Sequence, residues 1–219
     1  MARFVSFEDI CELQENLGSI TNSNLANLIV FIRNHRFFLS PESTSDLIDS
    51  LAFFFNANIL SSDELSMILI EFQSEFTNFF QNKYVLPHYL NEANKYFLLH
   101  FSNMDIVTLS KPKNDLVITK YFSPELQYTF HNLITSEFKT DAEFFRFRQD
   151  GCNPFPILEY IRNDDFPGFL DLVKNNEKAL TLKIPASLFE RFPLLNKQKV
   201  SLIEYSAFFA SLECFKFLL

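Results

Sequence analysis

Tryptophan is absent from the 219 residues, glycine occurs three times and cysteine three times, and these shortages close off several kinds of site. Phosphate cradles and dinucleotide turns rest on closely spaced glycines, whose bare backbone lets an anion approach. Gly18, Gly151 and Gly168 are too scattered to form one. Cys11, Cys152 and Cys214 are odd in number and far apart, which fits neither a zinc ligand set nor a secreted disulfide framework. They read as reduced thiols, and the expected location is cytoplasmic. Basic residues are short as well, 19 Lys and Arg against 27 Asp and Glu, for a formal net charge of -8. Nucleic-acid binding draws on clustered cations, so no nucleic-acid partner is expected.

Long apolar runs are also missing. No stretch approaches the roughly 18 uncharged apolar residues of a membrane span, and the opening MARFVSFEDICELQ meets Glu8, Asp9 and Glu12 before any run of signal-peptide length. No export or membrane segment, and no membrane partner, is expected. G-x-S-x-G, a Walker loop, H-E-x-x-H and the dinucleotide glycine motif do not occur. The chain is therefore expected to be no enzyme, with no catalytic residues, no cofactor and no metal.

What is present is material for a core: 47% of the residues are hydrophobic and 29 are phenylalanine. So many rings could form an aromatic binding surface, but most fall on helical spacing, which reads as core filling under an A/T-rich codon bias. The class predicted is all-α, antiparallel helix pairs leading into an ankyrin-like helical solenoid. Ser6 can cap a first helix that carries Ile10, Leu13 and Leu17 and stops at Gly18. A second follows Thr21, with Leu25, Leu28, Ile29 and Ile32 on one stripe. Ser40 and Pro41 start a third, bearing Leu47, Ile48, Leu51, Phe54 and Phe55.

Ser61 and Glu64 make a capping box before one helix of about five turns, lined by Leu65, Ile68, Leu69, Phe72, Phe76 and Phe79. A fifth helix is expected from Pro87, using Tyr89, Leu90, Ala93, Phe97 and His100. Residues 104–122 read as either strand or helix. Ser123 and Pro124 begin a helix with Leu126, Phe130, Leu133, Ile134 and Phe138 on one face, and Thr140 with Glu143 caps the next, which Gly151 ends.

The last stretch, SLIEYSAFFASLECFKFLL from Ser201 to Leu219, has a two-helix rhythm, small residues at Ser206 and Ala207, Ala210 where a turn glycine belongs, and a leucine pair at the close. Leu202, Glu204 and Ala210 depart from the usual proline, histidine and glycine of that pattern. Upstream, PILEYIRNDDFPGFLDLV from Pro156 to Val173 lies over Leu202 to Leu219 at an offset of 46 residues. The usual ankyrin period is about 33, so some 13 residues, plausibly within KIPASLFERFPLLNK, read as an insertion. With FFRFRQDG from Phe144 to Gly151 and SLFERFPLL from Ser187 to Leu195, these segments resemble a large ankyrin-repeat family of parasitic protists that carries an uncharacterised helical region ahead of its repeats. The resemblance implies a helical leader at 1–143 and a divergent ankyrin-like region at 144–219, the start of a longer array.

Among candidate polar residues, His35, His88, His100 and His131 are mutually remote and read as structural. Asp164 and Asp165 resemble an acid and base pair, yet stand where a helix cap is needed. Arg33, His35 and Arg36 beside Phe37 and Phe38 combine cations with rings, as single-stranded nucleic-acid sites do, but read as a helix C-terminus. The function expected is non-enzymatic protein–protein interaction, a scaffold or adaptor whose partner is another protein. Its binding residues are not assigned beyond the neighbourhood of Tyr205 and Phe208 that the resemblance implies. The alternatives are an enzyme with an unrecognised site drawing on 104–122, and a structural protein that self-associates through exposed aromatics.

Overall fold

Short polar residues start most of the helices. Ser6 Oγ accepts the Asp9 N–H while the Asp9 carboxylate accepts the Ser6 N–H at 2.7 Å, and the same reciprocal box recurs at Ser61 with Glu64, Thr140 with Glu143, and Ser201 with Glu204. The computed structural model describes residues 5–21, 23–82, 85–91, 93–109, 116–126, 139–174, 180–196 and 199–219. These are mostly helical and the class is all-α. The chain divides into two compact units, Met1–Ile118 and Thr119–Leu219.

In the first unit, α1 (Phe7–Gly18) and α2 (Leu25–Asn34) pack as a pair, followed by a single 3-10 turn at Phe37–Leu39. Next come α3 (Pro41–Asn56), α4 (Ser62–Glu71), α5 (Gln73–Phe80), α6 (Leu86–Tyr89) and α7 (Lys95–Asn103). Helix α3, capped by Ser40 with Pro41 in its first turn, packs against α1, α4 and α7. Phenylalanines fill this core: Phe76 and Phe80 meet Phe101 edge to face at 5.5 and 5.4 Å, while Phe55 stacks on Tyr96 and lies tilted against Phe97. Of the described phenylalanines only Phe7, Phe53, Phe145, Phe155, Phe208 and Phe217 are exposed.

Two expected helices are broken. The five-turn helix from Ser61 is interrupted at Phe72 (φ -117°, ψ 28°), where Phe72 and Phe76 both rest on the Phe38 ring. The helix expected from Pro87 is two, because Leu90 leaves the helical region and Asn91 stabilises a turn instead, its side chain accepting the Asn94 N–H and donating to the His88 carbonyl. Residues 107–109 are irregular and α8 (Leu116–Tyr121) is a short helix; the helix expected beyond Ser123 lies mostly outside the described residues, with only a turn at its start.

The second unit continues with α9 (Asp141–Asp150), α10 (Pro156–Arg162), α11 (Phe166–Lys174), a short antiparallel pair β1 (Lys183–Ile184) and β2 (Val200–Ser201), the single turn α12 (Pro193–Asn196) between those strands, then α13 (Leu202–Phe208) and α14 (Leu212–Leu218). The strand pair was not anticipated by the sequence reading; two residues each are too short for an alternating pattern. Helices α10 and α13, and α11 and α14, pack side by side. Arg148 on α9 is buried and grips Glu125 with both Nη groups while donating to the Tyr121 carbonyl at 2.9 Å, so the guanidinium is paired rather than stranded.

With glycine so scarce, other residues take the left-handed turns. Asn58, Asp105, Asp164 and Ala210 all have φ between 49° and 59°. Each ends its helix with the same hydrogen-bond pair, as in Asp164 N–H to the Ile161 carbonyl and Asp165 N–H to the Tyr160 carbonyl. Asn and Asp tolerate this region through local hydrogen bonding, whereas alanine has no such compensation. We expect Ala210→Gly to stabilise the protein by about 0.5–1 kcal/mol, read from the urea midpoint; a lowered midpoint would refute the strain at this turn.

Acid should loosen the caps. Glu204 is held below the usual carboxyl range first by the Ser201 hydroxyl and then by the Ser201 backbone N–H, and Glu143 chiefly by the Lys139 backbone N–H. A carboxyl depressed in the folded state stabilises fully above its unfolded value, and that stabilisation is lost as pH falls through the folded one. Melting temperature should therefore drop between about pH 6 and pH 3, and Glu204→Gln should show a shallower drop.

Candidate functional site

The two hairpins of the second unit are built alike. Pro156–Arg162 and Phe166–Lys174 lie 46 positions ahead of Leu202–Phe208 and the start of α14, and the left-handed Asp164 lies 46 ahead of Ala210. The turn bonds match too: Asp165 N–H to Tyr160 O is 2.8 Å and Ser211 N–H to Ser206 O is 2.9 Å. A short helix whose C-terminus must carry a Schellman pair leaves little freedom in the turn, so both copies re-enter their second helix at the same residue spacing.

Between the copies the contact is apolar with a few polar pins. Ile157, Leu158, Ile161, Phe169 and Val173 of the first hairpin join Leu202, Tyr205 and Cys214 of the second in one core, with Ile184, Phe192, Leu195 and Val200 from the intervening segment. The insertion expected within 183–197 is thus part of the packing. Its Phe189 also meets Phe144 and Phe147 at 5.5 Å each. Ser211 Oγ donates to the Ile161 carbonyl across the interface.

Under the hairpins lies a buried polar cluster that no motif announces. Arg162 Nη1 donates to the Tyr205 hydroxyl oxygen at 2.9 Å and to the Asn153 carbonyl at 3.0 Å. Glu190, buried, accepts the Asn153 and Phe192 backbone N–H groups, and the Asn153 amide donates to the Pro185 carbonyl. Half-buried Cys152 adjoins this cluster. Burial pushes its thiol up, with Arg162 opposing, and burial likewise raises the Tyr205 phenol. The cluster ties residues 151–155 and 185–192 to the hairpins. Cys214 is enclosed and its thiol is pushed up to about 11 by burial, with Asp164 and Asp165 adding.

The residues singled out in the sequence fall as follows. Asp165 caps α11, accepting the Gly168 N–H at 3.1 Å, and Asp164 makes the left-handed turn, so the pair acts on the backbone. His35 stacks on Phe31 at 3.9 Å beside Asp9; His100 packs on Phe55 and Tyr96; His88 lies against Tyr89; His131 lies outside the described residues. No cluster of His, Cys, Asp and Glu fit for a metal occurs among the described residues. Arg33 and His35 end α2 as expected; Arg33 pairs with Glu71, Phe37 is buried, and Phe38 is spent on Phe72 and Phe76. Arg33, Arg36, Phe38, Leu39, Glu71, Phe72 and Glu75 line an open cleft of about 330 Å³ with charges of both signs.

Of the two residues that the ankyrin resemblance brought forward, Tyr205 is fully buried, and Phe208 is 41% exposed. Phe208 rests on Phe192 at 5.0 Å and on Phe209, and the neighbouring α12 carries Leu194, 74% exposed. No helix among the described residues is long and apolar enough to cross a membrane. No family model, curated protein or solved structure significantly matches the chain.

Tyr205→Phe removes the hydroxyl from Arg162 and leaves the Asn153 carbonyl as its remaining partner there. We expect a loss of about 1–3 kcal/mol from the second unit, measured by urea unfolding with amide exchange to localise it. Unchanged stability would show that the cluster does not pin the hairpins.

Proposed function

We propose that this chain is a non-enzymatic interaction module of ankyrin-repeat type, binding another protein through the second unit. The observation that carries the reading is the repetition: two short helical hairpins, 46 residues apart, share their turn geometry and lie side by side. Repeating hairpins build surface rather than enclosed pockets, since each unit contacts only its neighbours and leaves its remaining faces outside. Arg162, Tyr205 and Glu190 are engaged in mutual contacts and backbone hydrogen bonds. The acidic balance of the chain keeps nucleic acid out of the proposal.

The binding surface proposed centres on Phe208 and Leu194. An aromatic ring standing on two others is a rigid anchor, losing little conformational freedom when a partner covers it. The protein is the place to test this directly. Affinity capture with the full chain should retain a specific partner, and the double substitution Phe208→Ser with Leu194→Ser should release it by about ten-fold or more in affinity while leaving the helical signal intact. Retention of the same partner with equal affinity by the double variant would reject this surface.

A further inference from the structure

The cleft of the first unit lies where α2 ends and where α4 gives way to α5, and two of its charges meet no counter-ion. Arg33 and Glu71 pair with each other. Arg36, just past α2, and Glu75, in the first turn of α5, line the same cleft, yet neither forms an ion pair among the described residues; the Glu75 carboxylate accepts the Ser74 hydroxyl at 2.6 Å. The rest of the lining is apolar. The Phe38 ring rests on buried Phe72, and Leu39 is 59% exposed. Arg36, at φ 57°, turns the chain from α2 into the 3-10 turn, which buries Phe37 and leaves Leu39 outside. The apolar surface continues onto the helices. Val30, three positions before Arg33 on α2, and Met67, four before Glu71 on α4, share the face of that ion pair and are 50% and 53% exposed.

An apolar patch that carries one unpaired cation and one unpaired anion is complementary to itself. Turned about a two-fold axis, it sets Arg36 of one copy against Glu75 of the other and, by symmetry, Glu75 against Arg36, so two ion pairs close at once. We infer that this face of the first unit binds a second copy of the chain, as a symmetric dimer in which Leu39 of each copy enters the cleft of the other and covers Phe38. The size suits that occupant: about 330 Å³ is at the lower end of small-ligand pockets and readily takes one leucine side chain. The charge suits it as well. Each chain carries a net -8, so copies repel at a distance, and contact is least opposed on a face where Arg33 and Arg36 balance Glu71 and Glu75. A partner of one sign would instead leave either Glu75 or Arg36 facing its own charge. The inference concerns the first unit and stands whether or not the surface at Phe208 has a partner.

Sedimentation of the full chain from about 1 µM to about 1 mM should show a monomer passing to a dimer, half-associated at roughly 1–100 µM as suits a small interface. Arg36→Glu and Glu75→Arg should each weaken the dimer by about ten-fold or more, since the two-fold axis then opposes like charges twice. Mixed in equal amounts, the two variants should recover the parent's association, because one presents only anions at these two positions and the other only cations. Leu39→Ser, at an exposed position, should weaken the dimer by about ten-fold without changing the helical signal. A parent that stays monomeric throughout overturns the inference. So does a dimer that survives Leu39→Ser or either charge reversal, or a mixture of normally helical variants that associates no better than its components. A dimer dissolved instead by Phe208→Ser with Leu194→Ser also overturns it, placing self-association in the second unit.

Discussion

Among the described residues, four helices end on a non-glycine residue held in the left-handed region by the same pair of hydrogen bonds, and the direction of the chain beyond each depends on that one conformation. At Asn58, Asp105, Asp164 and Ala210 the two terminal carbonyls are satisfied by the N–H groups of the turn and of the residue after it. The geometry is worth keeping because a helix end buried without such partners strands polar groups at a cost of kcal/mol each. It also fixes register. In the second unit the identical turn in both hairpins places Asp165 and Ser211 at equivalent points, where the first caps its own helix through Gly168 and the second reaches across to Ile161.

Much of this was legible in the sequence, for physical reasons that can be named. Capping boxes are local, so Ser61 with Glu64 and Thr140 with Glu143 announce their helices within four residues. The 46-residue correspondence was visible because apolar positions repeat with their spacing intact across a turn of fixed length. What stayed hidden is non-local. Nothing near Phe72 signals a break, since the break accompanies contacts with Phe38 far along the chain. Asn91 and Asn94 did carry a signal, side chains that compete with helix for backbone hydrogen bonds, yet the apolar spacing from Tyr89 to Phe97 outweighed it.

The candidate site shows the same division. Phe208 and Ala210 stood out because the hairpin pattern assigns each a place, and the structure leaves Phe208 exposed and puts Ala210 at φ 55°. The cluster of Arg162, Asn153, Glu190 and Tyr205 could not be read, its members being spread across four segments with no shared motif. Only folding brings a buried carboxylate to the backbone of Asn153 and a guanidinium to the Tyr205 hydroxyl.

Polar and apolar parts of the hairpin interface have separable duties. Apolar contact among Ile161, Phe169, Tyr205 and Cys214 supplies most of the attraction, in proportion to the area removed from water, but it is tolerant of sliding. Arg162 with Tyr205 and Ser211 with the Ile161 carbonyl permit one register, because any slip would leave a buried donor without its acceptor. Buried polar groups earn their place by that specificity more than by net stabilisation. At the corresponding positions of the second hairpin the scheme is not repeated: Phe208 stands where Arg162 stands in the first, and exposed Glu204 where Leu158 is buried.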